Sequence, residues 1–510
     1  MLGSFCRESL ETLRRKVRAS TKFRINKFST YNKDHTSYEK DEFRLFSRGE
    51  IERLPFSDPY FEHIQANYLD APLDLRTSCV SESPLLTRNN VGLGFLILNS
   101  EYIGSNCVSN LYRELLDLEN NVYKRFVVLT SMNRVVFSKG LDPSEVHLFH
   151  DSILKLTRLK ETPLKKNPDF KLDLINSNLE RFKKALEDYV KNVLHLLYLI
   201  KTYRKPLVIY GNGQMESFGS NMCFISSFSS CYKHSTYQAN TDETPFNNFG
   251  STFVLSNLRG NLGEYLLLTN DKLVGEDLIW SGLAKKFIEP NSINTIQITS
   301  DRLVELPEKY VETYINEFNI NLSSPDFRLK NYESAINNHF KHDKIKDIIA
   351  SVKSSYNKGK SKNENDSNIS NFEQTILENF SRFTSTKTTN YVLAGMLHII
   401  KKLKALKYKI LSELKIGVNE WSSMVNLSYK STSTIKQENA KLLYNLIMEI
   451  LLIESLRLES NLFFKPFKMA VDFSSVFDHL FDRSTGNYLT HESGHIKDSL
   501  LRMKQLLNIK

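Results

Sequence analysis

Short apolar runs and amphipathic stretches alternate along the chain from residue 92 onward. The runs 92–100 (GLGFLILNS) and 125–131 (RFVVLTS) are bounded by polar residues and have the length of buried strands. Between them, Leu111, Leu115 and Leu118 recur at helical spacing. A strand, a helix and a second strand in this order predict a right-handed βαβ unit with parallel strands.

A long amphipathic helix is predicted next, from about residue 172 to 203, after a charged insertion at roughly 150–175. Pro206 ends this helix, and the apolar run 207–210 (LVIY) is the following strand. Strands and helices continue to alternate to about residue 290, which predicts an α/β core. The helix is recognised by an apolar stripe of 3.6-residue period, formed by Leu179, Phe182, Leu186, Val190, Val193, Leu197 and Ile200.

The chain beyond residue 290 is predicted to be mainly helical. Segment 396–417 is an amphipathic helix dense in lysine, and 438–464 is a long apolar helix. Segment 357–371 (NKGKSKNENDSNISN) has low complexity and is predicted to be a disordered loop. Residues before about 85 are polar and lack long periodic runs.

Composition and cysteine usage narrow the class of protein. The 510 residues are enough for two or three domains, or for one large domain with additions. No run approaches eighteen apolar residues, so no membrane span is predicted. The five cysteines form no CxxC pair, which argues against a disulfide scaffold or a cysteine-rich zinc site and favours a reducing compartment.

The net charge of +10 fits RNA, an anionic membrane surface or a phosphate-rich ligand as a partner. The lysine-dense helix 396–417 allows two interpretations: a solvated face, or a surface that meets the phosphates of RNA or a protein partner. Its lysines are Lys401, Lys402, Lys404, Lys407, Lys409 and Lys415.

The N-terminal thirty residues are basic and rich in serine and threonine. Leu10, Leu13 and Val17 share a helical face, so the segment resembles a mitochondrial presequence. Glu8 and Glu11 count against this interpretation, because presequences avoid acids. The alternative is a solvated basic arm.

Segment 491–495 (HESGH) matches the H-E-x-x-H zinc signature. Gly494 weakens the helix that the signature requires, and no third ligand is indicated, so we interpret the match as chance and predict no metal site. In 210–221 (YGNGQMESFGSN), Glu216 stands where a dinucleotide fingerprint needs its third glycine.

Segment 249–289 reads FGSTFVLSNLRGNLGEYLLLTNDKLVGEDLIWSGLAKKFIE. It resembles the 3-hydroxyisobutyryl-CoA hydrolase branch of the enoyl-CoA hydratase/isomerase (crotonase) superfamily almost position by position. Segments 137–142 (FSKGLD), 427–436 (LSYKSTSTIK) and 472–482 (DFSSVFDHLFD) add weaker likeness. The resemblance implies an α/β, crotonase-like (ClpP/crotonase) spiral core with a helical C-terminal region.

The resemblance suggests four regions. Residues 1–84 are a basic N-terminal extension, 85–300 the crotonase-like core, 301–482 a helical C-terminal region with insertions, and 483–510 a polar tail.

The same resemblance implies an oxyanion hole made of two backbone N–H groups, those of Leu141 and Phe218. It places CoA-binding positions at Lys139, Gly140 and Asp142. Both turns are glycine-rich in the family, because glycine lets the backbone approach a ligand. Here Glu216 and Phe218 are expected to put charge and bulk where the thioester should lie.

The hydrolase branch uses two acids, and both are replaced at the matching positions. Asn248 stands for an aspartate, and Asn240 or Thr241 stands for a glutamate. An asparagine can neither accept a proton as a base nor attack a thioester. Asp242 and Glu243 lie close by and would serve only if the register slips.

Two functions stay open. One is an inactive hydrolase-like protein acting as a structural component of the mitochondrial small ribosomal subunit, with ribosomal RNA and ribosomal proteins as partners. The other is an active matrix hydrolase of 3-hydroxyisobutyryl-CoA in valine catabolism, using Asp242 or Glu243. A CoA thioester is the only small ligand implied, with no cofactor, and a homo-oligomer is compatible with either.

Overall fold

The computed structural model describes residues 84–90, 92–161, 168–240, 248–289, 313–315, 317, 319–320, 327–360, 367–383, 387–427 and 435–465. The predicted presequence, the HESGH motif, segment 472–482 and the polar tail 483–510 lie outside these residues, as do Thr241, Asp242 and Glu243.

Within the described residues, seven strands form one sheet in the order β1-β2-β3-β5-β7-β10-β11, and four form a second, β4-β6-β8-β9. The strands are β1 (Leu85–Asn90), β2 (Gly92–Leu98), β3 (Lys124–Ser131), β4 (Val136–Ser138), β5 (Leu207–Gly211), β6 (Gln214–Glu216), β7 (Phe228–Cys231), β8 (Thr236–Gln238), β9 (Leu273–Val274), β10 (Lys286–Ile288) and β11 (Asn319–Ile320).

Thirteen α-helices accompany these strands in the described part of the chain. They are α1 (Ser105–Asn120), α2 (Pro143–Glu161), α3 (Pro168–Lys201), α4 (Ser217–Ile225), α5 (Ser251–Ser256), α6 (Leu262–Thr269), α7 (Glu276–Ser281), α8 (Glu333–His339), α9 (Ile345–Lys360), α10 (Ser367–Phe383), α11 (Lys387–Glu413), α12 (Val418–Leu427) and α13 (Ile435–Phe464).

The predicted βαβ unit is confirmed. Strands β2 and β3 pair in parallel, and α1 connects them. Every residue of β2 is buried, so the strand lies in the interior of the sheet, as its unbroken apolar run predicts. Strand β1 was not predicted; it pairs antiparallel with β2 through the polar sequence LLTRNN.

The charged insertion is largely helical, and the predicted disordered loop at 357–371 is wrong for both of its ends. The insertion at 150–175 is helical on both sides of residues 162–167, because α2 runs through its first part and α3 begins at Pro168. The low-complexity segment 357–371 ends α9 and begins α10, leaving 361–366 outside the described residues. The low-complexity residues extend helices that are held by buried apolar residues beyond the segment, such as Val352 of α9 and Phe372 of α10.

The C-terminal helices pack directly on the core rather than beside it. Helices α11 and α13 both contact α5, and α11 also contacts α6. The two predicted C-terminal helices 396–417 and 438–464 are thereby confirmed as α11 and α13. None of the helices in the described ranges combines the length and apolarity that a bilayer crossing needs.

A buried carboxylate joins α11 to the core. Glu264 of α6 is fully buried, and its Oε2 accepts a hydrogen bond of 2.6 Å from Lys404 Nζ. Lys404 Nζ also donates to the carbonyl of Gly260 at 2.6 Å, and Lys401 Nζ lies 3.5 Å from Glu264 Oε1. For these lysines the interpretation as a solvated or phosphate-facing surface is wrong, because they turn toward the core. Lys409 and Lys415 are exposed.

Lys407 shows the cost of turning a lysine inward. Its ammonium lies 5.0 Å from the centre of the Trp421 ring and 3.4 Å from Asn257 Oδ1. Burial, followed by repulsion from Lys404, lowers the pKa of Lys407 from 10.5 to about 8. The protein therefore binds this proton less tightly when folded than when unfolded.

Replacing Lys407 by methionine is expected to leave stability at pH 7 within about 1 kcal/mol of the parent, since the lost cation–π contact offsets the removed desolvation cost. The parent should gain stability as pH rises from about 8 toward 10.5, because there the unfolded state binds more protons. The variant should lack that gain in urea unfolding. Lys409→Met is the exposed control, and equal pH slopes in parent and K407M would contradict the assignment.

Candidate functional site

Two turns meet where the smaller sheet ends, and they carry the predicted oxyanion positions. Strands β4 and β6 pair in parallel, which brings turn 138–142 beside turn 216–218. Gly140 has φ +102°, and a Cβ on it would lie 3.0 Å from Ser217 Cβ and 3.5 Å from the Phe218 nitrogen. Gly140 therefore lies beside the Phe218 nitrogen, and an oxyanion hole made by the Leu141 and Phe218 N–H groups stays a prediction.

The second turn holds an unusual backbone and a charge. Ser217 has φ +50°, a left-handed conformation that non-glycine residues seldom adopt. Phe218 lies in the first turn of α4, whose N–H groups have no partner within the helix. Glu216 directly precedes this helix and accepts a hydrogen bond from the Gln214 side chain. A carboxylate already at the positive end of the helix disfavours a second negative charge there, such as a thioester oxyanion.

The side chains around the second turn are buried. The Phe218 ring is inaccessible to solvent and belongs to the main hydrophobic core, so it does not project into an open cleft as the sequence analysis expected. Gly219 is explained by packing, because a Cβ there would lie 2.4 Å from Ser138 Cβ. The close packing of Ser138 against Gly219 therefore explains the glycine at this position without reference to a ligand.

The predicted CoA-binding positions are engaged in local structure. The backbone N–H of Lys139 donates to Glu101 O at 2.7 Å, and its ammonium pairs with the Glu101 carboxylate at 2.7 Å. Gly140 O accepts from the Ile103 N–H at 2.8 Å. Asp142 accepts a hydrogen bond of 2.9 Å from the N–H of Ser144 and so caps α2. CoA binding at these positions stays a prediction.

The two asparagines at the acid positions lie in a buried amide network. Asn248 and Asn240 are almost inaccessible to solvent, with 3% and 1% of their surface exposed. Asn248 Nδ2 donates to Asn240 Oδ1 at 2.9 Å and to the carbonyl of Ala239. Asn248 Oδ1 accepts from Asn221 Nδ2 at 2.6 Å. Sequence reasoning therefore identified two residues that the fold brings together.

Asn240 is anchored on its other side by Asn270. The Asn240 N–H donates to Asn270 Oδ1 at 2.9 Å, and Asn270 Nδ2 donates to Asn240 O at 3.1 Å. Asn240, Asn248 and Asn270 each use both a side-chain donor and a side-chain acceptor, whereas Asn221 only donates and its Oδ1 is buried without a partner. The arrangement is complementary to asparagine and unfavourable for a carboxylate.

Glu459 lines the same cavity as Asn248, and sequence reasoning missed it. It lies on α13 and accepts hydrogen bonds from the N–H groups of Gly250 at 2.6 Å and Thr252 at 2.8 Å. The Thr252 hydroxyl donates to it at 2.7 Å. These donors begin α5, so Glu459 caps a helix from another part of the chain. An acid within the apolar run of α13 was the signal available in the sequence.

Burial raises the pKa of Glu459 from 4.5 to about 7, against the opposing effect of its hydrogen bonds. Glu459 and Asn248 line one cavity of about 20 Å³ together with Met396 and Phe463. That volume holds about one water molecule and no acyl thioester. Among the described residues that line this cavity, Glu459 is the one carboxylate, and it is committed to capping α5.

Other reactive groups of the described residues do not add a second site. No group of three or more His, Cys, Asp or Glu side chains with metal-binding geometry occurs among them. The free thiols of Cys107 and Cys223 are buried, and burial raises the pKa of each to about 12. These thiols are therefore protonated and poor nucleophiles at neutral pH.

A family model described as Enoyl-CoA hydratase/isomerase matches residues 103–419. The chain is 28% identical over 173 residues to 3-hydroxyisobutyryl-CoA hydrolase-like protein 5 of Arabidopsis thaliana, covering 33% of this chain and 43% of that protein. It is 27% identical over 187 residues to the small ribosomal subunit protein mS47 of Neurospora crassa, covering 34% and 36%.

The chain therefore spans well under half the length of the curated relatives that it matches. Among solved structures, an enoyl-CoA hydratase from Rhodobacter sphaeroides 2.4.1 is 14% identical with a TM-score of 0.48, covering 83% of this chain and 97% of that chain.

Proposed function

Since this chain belongs to the enoyl-CoA hydratase/isomerase family, we propose that it is a 3-hydroxyisobutyryl-CoA hydrolase-like protein that does not hydrolyse thioesters and acts as a structural component. The observation that carries this proposal is the buried amide network. The resemblance places Asn248, and Asn240 or Thr241, at the acid positions, and none of these side chains can act as a base. Asn240 and Asn248 also hydrogen-bond to each other. The scaffold then serves through its surfaces.

The assembly we propose is the small subunit of the mitochondrial ribosome, in the matrix, with ribosomal RNA and ribosomal proteins as partners. Support comes from the likeness to mS47 of Neurospora crassa and to a relative named as mitochondrial, 3-hydroxyisobutyryl-CoA hydrolase-like protein 1 of Arabidopsis thaliana. The net charge of +10 is compatible with binding to RNA. A homo-oligomer stays a prediction.

The hydrolase alternative depends on Asp242 and Glu243, which lie outside the described residues. Its support is the likeness to proteins named as 3-hydroxyisobutyryl-CoA hydrolases of Arabidopsis thaliana. In an active enzyme, one of these acids would need to reach a thioester carbonyl that is bound by the Leu141 and Phe218 N–H groups. Glu216 at the start of α4 opposes the negative charge that such a reaction develops.

We expect the purified protein to release no CoA from 3-hydroxyisobutyryl-CoA above the buffer rate, measured with a thiol reagent. On a sucrose gradient of organelle lysate it should co-sediment with ribosomal particles and leave them as salt rises. Asp242→Ala with Glu243→Ala is the matched variant. CoA release that collapses in this variant would establish the hydrolase instead, and a profile confined to the top of the gradient would exclude the ribosomal assignment.

A further inference from the structure

A second and larger cavity, of about 180 Å³, opens where β5 and β7 begin. The turns of the candidate site follow the opposite, carboxyl ends of strands in this region, because β5 runs from Leu207 to Gly211 before the chain reaches Glu216. The cavity is lined by the end of α3, the start of the two strands and residues of α13. It is therefore separate from the amide network and from Glu459.

The lining of this cavity is positively charged. Among the described residues that line it, Arg204, Lys205 and Lys441 are cationic and none is an aspartate or glutamate. Ser227 and Asn445 add a hydroxyl and an amide that can donate hydrogen bonds. Such a mixture of a guanidinium, ammonium groups and neutral donors matches the oxygens of a phosphate group.

Two further lysines stand behind the lining. Lys285 Nζ donates to Ser226 O at 2.9 Å and to Ser227 O at 2.6 Å, so its charge lies directly behind the cavity wall. Lys201 Nζ lies 6.0 Å from the centre of the Tyr444 ring, on the same helix as Lys441. Burial lowers the pKa of Lys201 to about 8, and burial with repulsion from Lys201 lowers that of Lys285.

Two carboxylates lie close to these groups and partly offset their charge. Glu119 accepts a hydrogen bond of 2.8 Å from the N–H of Arg204, and Glu449 accepts one of 2.5 Å from the Tyr198 hydroxyl. The described residues that line the cavity itself nevertheless include three cationic side chains and no carboxylate. A phosphate group in the cavity would therefore lie next to positive charge on its walls.

We propose that this cavity is a binding site for a phosphate group, supplied either by the backbone of an RNA strand or by a small phosphorylated molecule. Arg204 and Lys441 contact the phosphate oxygens, and Asn445 and Ser227 orient it. The inference goes beyond the proposed function, since it requires neither a ribosomal location nor the loss of hydrolysis.

The test uses the full-length protein and two probes, a fluorescently labelled single-stranded oligouridine and inorganic pyrophosphate. Arg204→Gln combined with Lys441→Gln removes two cations from the cavity. Lys409→Gln combined with Lys415→Gln removes two exposed lysines of the same chain elsewhere. Asn445→Glu is a third variant, which adds a carboxylate at an exposed helix position and so spares the fold. Thermal unfolding checks that each protein is folded.

For an RNA phosphate, we expect fluorescence anisotropy to show an affinity loss of about tenfold or more in R204Q/K441Q and N445E, and less than about threefold in the control. The slope of log affinity against log salt should fall by about 1.4 in R204Q/K441Q, as for two lost phosphate contacts. If the phosphate belongs to a small molecule, calorimetry with pyrophosphate should show the same ranking of affinity losses among the variants. The affinity for oligouridine should then be the same in all of the variants as in the wild type.

Equal losses in the cavity variants and the control would overturn the proposal, as would wild-type protein that binds neither probe. Both outcomes are independent of the CoA-release and gradient experiments. Failure of this inference and failure of the proposed function can therefore be told apart.

Discussion

Asn248→Asp, which introduces the acid that the resemblance implies at this position, is expected to destabilise the protein by about 2–4 kcal/mol at pH 7 and to give no hydrolysis. The Asn248 amide donates to Asn240 Oδ1 and to Ala239 O, and a carboxylate would instead face two oxygens without a donor. Asn221 Nδ2, at 2.6 Å, supplies one compensating hydrogen bond. Urea unfolding measures the difference.

The pH dependence identifies the cause. In the variant, burial among oxygens raises the folded-state pKa of the new carboxyl above its unfolded value, so the loss should shrink as pH falls and the protonated acid regains a donor. Asn106→Asp, an exposed change in the first turn of α1, is the control and should stay within about 0.5 kcal/mol. Full stability together with CoA release by N248D would contradict the assignment of this network.

Glu459→Ala should cost more, about 3–5 kcal/mol, because it affects a helix end and a cavity at once. The N–H groups of Gly250 and Thr252 would lose their acceptor in a site that water reaches poorly. The cavity of about 20 Å³ beside Glu459 would also grow by the volume of the deleted atoms. Denaturant unfolding should show a lower midpoint, and the exposed Glu413→Ala on α11 should show little change.

Glu459→Gln separates charge from hydrogen bonding. The folded-state pKa of Glu459, about 7, lies above the ordinary value of 4.5. The folded state therefore binds more protons between these values, and wild-type stability falls as pH rises from about 4.5 to about 7. Glu459→Gln should remove that fall while keeping one acceptor. Identical pH profiles for wild type and E459Q would show that Glu459 does not titrate in this range.

The strands and long helices were predictable because their apolar residues carry the period of the element. The run 92–100 became β2, 125–131 became β3, and the helix from about 172 to 203 became α3. Strand β1 was not predictable, because LLTRNN is held by its pairing with β2 rather than by its own pattern. The inward orientation of Lys401 and Lys404 on α11 was not predictable for a similar reason. Their partner, Glu264, lies on α6 and is distant in the sequence.

The candidate site was predicted in part. Asn240 and Asn248 follow from the resemblance, and the structure joins them by a hydrogen bond. Asn221 and Asn270 belong to the same network, but their contacts join residues 27 and 30 positions apart, which no local pattern encodes. The capping role of Glu459 was the least predictable from sequence, because Glu459 contacts the N–H groups of α5 only when α13 packs against that helix. The sequence therefore predicts which residues stand at the acid positions, and only the structure shows the contacts that surround them.

The contact between Glu459 and the N–H of Gly250 spans 209 positions, and this sets an order on biosynthesis. Translation delivers α5 long before α13, so the nascent core waits with an unfinished helix end and uncovered apolar surface. Exposed apolar surface makes the emerging polypeptide prone to aggregation during that interval. A transcript truncated before residue 459 should yield material that is degraded rather than a smaller stable module.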